Sequence, residues 1–290
     1  MNFDLQQLAR EKLILVAHRG AWGGNIPCNT IAAYEIALQQ GADMIEIDVV
    51  KSADGRLFVF HPTMEPAHLG RRLSLERLTA AEIRRLRYVN IDNTATQFGI
   101  DTLDDVLEQF KGRCFINVDK FRQNPREISD AIRAHGMAGQ ILVKTAPKPE
   151  YLDLIEQYCP DIPYMAMIRD PAEIDAVCAR RLCYVGNEVL FSDEASPFAA
   201  KDFIAAQHRQ GRLVWCNAIV YDYRTVLSAG HNDDTSLLRS AQDGWGWIAA
   251  RGYDFMQTDW VKMAHDYLQK TGALYRRPGN PAAAPQNGAR

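Results

Sequence analysis

The chain has 290 residues, 47% hydrophobic and 24% charged, with a net charge of -3. That length and balance mark a globular chain with one large α/β domain or two small ones. The basic residues are scattered, which argues against a nucleic-acid partner, and no run reaches the roughly 20 apolar residues that span a bilayer.

The opening stretch "MNFDLQQLAREKLILVAHRG" lacks the basic start, longer apolar core and small-residue cleavage site of a signal peptide. Six cysteines (Cys28, Cys114, Cys159, Cys178, Cys183 and Cys216) form no C-x-x-C pair, and most sit in apolar runs where a reduced thiol packs as a small hydrophobe. Both features predict a cytoplasmic protein.

Eight β-type runs follow in order: "LILVA" (13–17), "MIEIDVV" (44–50), "FINVD" (115–119), "ILVKT" (141–145), "YMAMI" (164–168), "YVGNE" (184–188), "LVWCNAI" (213–219) and "YDFMQT" (253–258). Helical patterns such as "NTIAAYEIALQQG", "PREISDAIRAHG" and "PEYLDLIEQY" lie between them, several with proline at the start or glycine at the end. Eight β/α units predict an α/β fold of the TIM (β/α)8 barrel type, with an open doubly wound sheet as the alternative. The expected organisation is one barrel domain over 1–275 and a disordered tail at 276–290, rich in Pro, Ala, Gly and Asn.

A small insertion breaks the rhythm after the second strand, at about 51–100. It holds a turn and return strand, "SADGRLFVFHP", and a short helix opened by a Thr79/Glu82 capping box. It is too short for a domain with its own core. A second irregular interval follows the seventh strand, and long loops after barrel strands lie on the catalytic face.

In such a barrel the working residues stand at the C-terminal ends of strands. There the sequence offers His18 and Arg19, Glu46 and Asp48, Asn117 and Asp119, Lys144, and Trp215 with Asn217. Glu46 and Asp48 are two apart and share a strand face, while Ile45, Ile47 and Val49 point to the helices. Two like charges so close need a cation or proton between them. With Asp119 they make three hard oxygen donors suited to Mg²⁺ or Ca²⁺, whereas any one alone would be solvated or paired with arginine. His18 and His61 directly follow apolar runs and would supply an acid and a base. His68, His135, His208 and His265 are expected to face solvent. "GHNDD" (230–234) is expected to be a solvated loop rather than a metal site. Trp245 and Trp247, which follow it, are candidates to cover substrate. Trp215 would either stack on substrate or fill the barrel core.

With these positions in place, the chain resembles the glycerophosphodiester phosphodiesterase family, within the phosphatidylinositol-specific phospholipase C-like superfamily. The resemblance rests on His18-Arg19-Gly20, Pro27-Cys28-Asn29-Thr30, Glu46-x-Asp48, Asp54-Gly55, His61, "IDTLDDVL", "NVDK", "VWCN" and "GYDFMQTD". It implies cleavage of a glycerophosphodiester or related small diester to an alcohol and a phosphomonoester. On that reading Glu46, Asp48 and Asp119 hold one divalent cation, and His18 and His61 are general acid and base. Arg19, Asn29, Trp215 and either Lys144 or Lys120 serve the substrate, Lys144 being preferred because period two would turn Lys120 away from Asp119. The nucleophile is either water or a substrate hydroxyl that first gives a cyclic phosphate. The alternatives are a barrel that binds phosphorylated ligands without turnover, or a lipid-directed phospholipase, although no amphipathic membrane-facing segment is evident. Three departures from the family pattern stand out. Cys28 replaces a glutamate, with packing its default role; Pro62 replaces the aspartate after the second histidine; and Asp119 is one methylene shorter than the family's glutamate.

Overall fold

The computed structural model describes residues 3–276. Its strands are β1 (Ile14–Ala17), β2 (Met44–Lys51), β3 (Leu57–Val59), β4 (Phe115–Asp119), β5 (Ile141–Thr145), β6 (Tyr164–Ile168), β7 (Tyr184–Val189), β8 (Leu213–Asn217) and β9 (Phe255–Thr258). All but β3 pair in parallel, and β1 bonds to both β2 and β9, so the eight close into a barrel. Strand β3 is the expected return strand, antiparallel on β2.

Both faces of the barrel strands are buried, as a parallel sheet between helices and a filled interior requires. Outward residues such as Leu15, Ile45, Ile47, Ile116, Val118 and Val143 meet the helices in one large cluster. Inward residues Ile14, Val16, Met44, Phe115, Leu142, Met165, Leu213, Trp215 and Phe255 form a second cluster. The N-terminal helix Leu5–Glu11 adds Leu5 and Ala9 to that inner cluster, and Phe3 meets Phe115 edge to face. Hydrocarbon thus fills one end of the barrel and the polar side chains gather at the other.

The insertion encloses an apolar cluster of its own, from Phe58 and Phe60 through Leu75 and Ile83 to Tyr88 and Ile100, joined to the barrel by Val50 of β2. The Thr79/Glu82 capping box opens its short helix as expected. Of the tail, Arg276 is anchored on Asp254 (2.8 Å) and the Tyr253 carbonyl (3.0 Å); the expectation for the rest lies outside the described residues. All six cysteines are free. Among the described residues no helix is long and apolar enough to cross a membrane.

Candidate active site

Register builds the site in two layers. Glu46 pairs with Asn117 and Asp48 with Asp119 across β2 and β4, so the carboxylates of neighbouring strands stand side by side at the mouth. Oxygens of Glu46, Asp48 and Asp119 all lie within 4.8 Å of one another, the one such acidic or metal-ligating group among the described residues. Burial and the neighbouring Asp48 push the Glu46 carboxyl up to about 7. Burial opposes ionisation of Asp119 as well, but the Lys120 and Lys144 charges outweigh it and hold that carboxyl down at about 2. Asp48 Oδ1 is buried with no hydrogen-bond partner. Three oxygen donors, one left open, suit a hard divalent cation.

Cations ring this trio. Arg19 Nε lies 3.0 Å from Asp48 Oδ2 without hydrogen-bond alignment, and the Arg19 backbone N–H donates to Glu46 Oε2 at 3.0 Å. Lys120 Nζ is 2.6 Å from Asp119 Oδ2 and 3.4 Å from Asp48 Oδ1. Lys120 would turn away from Asp119 only on a continuing strand, and the strand ends at Asp119. Lys120 has φ of 59°, and this left-handed turn folds its side chain back over its neighbour. Lys144 is buried and turns to Glu188 (2.7 Å), with its ammonium 3.8 Å from the centre of the Trp215 ring.

Two other candidates are engaged within the protein. Trp215 does not stand free at the mouth: it is fully buried, stacks on Phe255 and donates Nε1–H to Asn217 Oδ1 at 2.9 Å. Asn29 is buried with both ends of its amide engaged. Its Nδ2 donates to Asp48 Oδ2 (2.9 Å), while its Oδ1 accepts from the Tyr34 hydroxyl (2.9 Å) and the Asp48 backbone N–H (3.2 Å). The loop that carries Asn29 turns sharply at Gly20, whose φ is +84° and where a Cβ would stand 2.8 Å from Ala33.

The two histidines are held differently. His18 Nδ1 lies 2.9 Å from Asp259 Oδ1. Burial pulls the His18 imidazolium down, but the Asp259 hydrogen bond and the Glu46 and Asp259 charges outweigh it, so its pKa is raised. His61 Nδ1 lies 2.7 Å from the Pro62 carbonyl oxygen, which can only accept, so Nδ1 carries the hydrogen and Nε2 is left as the basic nitrogen. Burial lowers the His61 pKa. Pro62 therefore supplies through its backbone the orienting acceptor that its side chain lacks.

Behind this front stand Asp259 and Glu188, which the sequence analysis left without a role, and several residues whose setting differs from expectation. Asp259 ends the last strand's polar run, where the strand-end rule applied to the other strands would have found it. Asp233 is buried, not solvated: it accepts from Trp245 Nε1 (2.7 Å), Thr258 Oγ1 (2.6 Å) and the Asp259 backbone N–H (2.9 Å). Trp245 is accordingly core, while Trp247 stacks on His231 with ring centres 3.8 Å apart. His208, expected in solvent, is buried against Asp254 at 2.8 Å; helix position alone did not reveal the facing carboxylate. Glu188 sits at period two on β7 and accepts from Asn217 Nδ2 at 2.7 Å. Cys28 is buried, its Sγ 3.7 Å from His68 Nε2, and burial pushes the thiol up to about 12.

Comparison with known proteins bears on the fold and the family. Glycerophosphodiester phosphodiesterase of Bacillus subtilis is 25% identical over 181 residues, covering 56% of this chain and 61% of that protein. The chain thus spans about three-fifths of that curated relative's length. A glycerophosphoryl diester phosphodiesterase from Parabacteroides distasonis superposes with a TM-score of 0.79 at 15% identity, covering 97% of this chain and 95% of that one. A phosphodiesterase from Oleispira antarctica, solved in complex with the product sn-glycerol-3-phosphate, gives 0.58 at 19% identity, covering 89% and 97%. The model of the glycerophosphoryl diester phosphodiesterase family matches residues 18–217, from the first catalytic-face histidine to the end of β8, and the chain belongs to that family.

Proposed function

We propose that the protein is a metal-dependent phosphoric diester hydrolase that splits a glycerophosphodiester or related small diester into an alcohol and a phosphomonoester. One observation carries the reading: three carboxylates within 4.8 Å of one another stand at the barrel mouth, with the Arg19 and Lys120 cations on them. Glu46, Asp48 and Asp119 would hold one Mg²⁺ or Ca²⁺, which when bound supplies Lewis-acid polarisation of the phosphoryl oxygens.

The chain's own groups do the rest. Arg19, whose Nε lies beside Asp48 without a hydrogen bond, offers a planar fork to the non-bridging oxygens. Lys120 is the second phosphate-facing cation: its side chain is 25% exposed at the mouth, whereas that of Lys144 is 4% exposed and paired with Glu188. Asn29 acts through Asp48, fixing its carboxylate, rather than on the substrate. His61, neutral with Nε2 free, removes the proton from the attacking oxygen; His18, kept protonated by Asp259, gives one to the leaving alkoxide. Trp215 supports Lys144 from below and does not touch substrate.

The test is glycerophosphocholine hydrolysis, followed as sn-glycerol-3-phosphate release with Mg²⁺ or Ca²⁺ added and with EDTA. Turnover with metal and none in chelator is expected. Full turnover in EDTA would sink the metal assignment, and no cleavage with any divalent ion would sink the hydrolase reading.

A further inference from the structure

The long loop that follows β8 is fastened at several points. Its ends are tied where the Asp233 backbone N–H donates to the Ala218 carbonyl at 2.7 Å. Its far side is pinned just past β7, where Phe191 N–H donates to the Leu227 carbonyl (3.0 Å) and Ala229 N–H to the Phe191 carbonyl (3.1 Å). Ile219 and Leu227 rest there on Leu190 and the partly buried Met167. The turn within the loop is closed by Asp222, whose carboxylate accepts from the backbone N–H groups of Arg224 (2.7 Å) and Thr225 (2.9 Å) and from the Thr225 hydroxyl (3.0 Å). A loop held this firmly can present a side chain at a fixed place, and the one it presents at the mouth is Tyr221.

The Tyr221 ring meets the His18 ring edge to face, with centres 6.1 Å apart. The residue is 57% exposed, yet its hydroxyl end is sheltered. Burial there, followed by the charges of Glu188, Glu46 and Asp119, raises the phenol pKa against the pull of Lys120. The same hydroxyl acts on Arg19 in turn. It therefore stands among the carboxylates and cations of the mouth and keeps its proton at neutral pH. Tyr34, Tyr164, Tyr184 and Tyr253 spend their hydroxyls on Asn29, Thr145, Asn187 and the Phe198 carbonyl. The Tyr221 hydroxyl bonds to none of the described residues, so its hydrogen is open to a ligand.

We propose that Tyr221 is a further catalytic residue, its hydroxyl donating to a non-bridging oxygen of the substrate phosphate beside Arg19 and Lys120. The inference rests on the hydrolase reading for the position of the diester, and adds a donor to it. Another cation at the mouth would compete with a divalent ion for the carboxylates. A neutral O–H holds an anionic oxygen without that competition. Because the loop sets the donor in place beforehand, it costs no reorganisation while charge shifts on the phosphoryl group. The edge contact with His18 keeps the ring aligned with the acid that serves the leaving alkoxide.

The experiment compares the unaltered protein with Tyr221→Phe and Tyr221→Leu on two diesters of glycerol phosphate, one releasing choline and the other p-nitrophenol. Tyr221→Phe should lower kcat/KM by about tenfold or more on both, the worth of one hydrogen bond to a charged oxygen, with an unchanged thermal melt. Tyr221→Leu should fall to about the same rate, because the hydroxyl and not the ring makes the contact. A loss confined to the choline ester would put the hydroxyl on the leaving oxygen, and that overturns the proposal. So does a full rate in Tyr221→Phe with a loss only in Tyr221→Leu, which would make the ring a cover over the mouth. If the unaltered protein cleaves neither diester, the hydrolase reading has failed, and calorimetric binding of sn-glycerol-3-phosphate in Mg²⁺ decides instead. Binding about tenfold weaker in Tyr221→Phe then supports the contact, and equal binding overturns it.

Discussion

Asn29 grips Asp48 at two points: its amide nitrogen donates to the carboxylate at 2.9 Å and its amide oxygen accepts the Asp48 backbone N–H at 3.2 Å. The side chain and main chain of one proposed metal ligand are thus fixed by a residue from the first barrel loop, which the Tyr34 hydroxyl steadies in turn. Asn29→Ala leaves the Asp48 N–H and the Tyr34 hydroxyl unpaired in a buried place, at a cost of about 2 kcal/mol or more. Losing such a support should also weaken metal binding by about 10- to 100-fold. A thermal melt titrated with Ca²⁺ or Mg²⁺ reads both effects, and an unaltered metal response would remove Asn29 from this role.

The two histidines should give a bell-shaped dependence of kcat/KM on pH. His61 works unprotonated with a lowered pKa, so activity falls on the acid side, below the ordinary imidazole range. His18 works protonated with a raised pKa, so activity falls on the alkaline side, above that range. Asp259→Asn removes the charge that helps hold the His18 pKa up and leaves only a neutral amide acceptor for Nδ1–H, so the alkaline limb should move to lower pH while the acid limb stays. His18→Ala and His61→Ala should each cost about 10² or more in turnover. An alkaline limb that does not move in Asp259→Asn would break the link between Asp259 and His18.

Asp233 is expected to matter although it touches no substrate. All three of its partners donate, so an isosteric amide must turn its NH₂ toward another donor. Asp233→Asn should cost about 1–3 kcal/mol in a denaturant melt. Because Asp233 fixes the Asp259 backbone, the variant should also lower kcat more than it raises KM. Equal stability and turnover would show that the network has other means of holding Asp259.

Cys28 should be inert. Its thiol is buried and pushed up to about 12, whereas Cys178 is exposed. Iodoacetamide at neutral pH should therefore label Cys178 and spare Cys28, leaving turnover intact; mass-mapped modification of Cys28 in the folded protein would contradict this.

The barrel and its acidic trio were legible because both follow from period two: alternate residues of β2 face the helices or the mouth, and the alternation survives folding unchanged. What failed was whatever depended on the backbone leaving that period or on partners far along the chain. Lys120 points inward because one residue turns left-handed, which residue type does not announce. The partners of Asn29 and His208 were not legible because Asp48 and Asp254 lie 19 and 46 residues away. Trp215 was undecided between mouth and core because a strand position fixes the face a side chain takes, not its depth among neighbours from other strands.

Arg19, Asn29 and Lys120 all have left-handed φ, at 57°, 55° and 59°, and all three converge on Asp48. Each conformation would suit glycine better, and such positions store roughly 1–3 kcal/mol for residues with side chains, least for asparagine. Selection for heat resistance alone would drift these three sites toward glycine and dismantle the mouth while hardening the barrel. Durability and turnover therefore pull in opposite directions at three known addresses, and a thermostable version of this protein has to find its gains elsewhere in the chain.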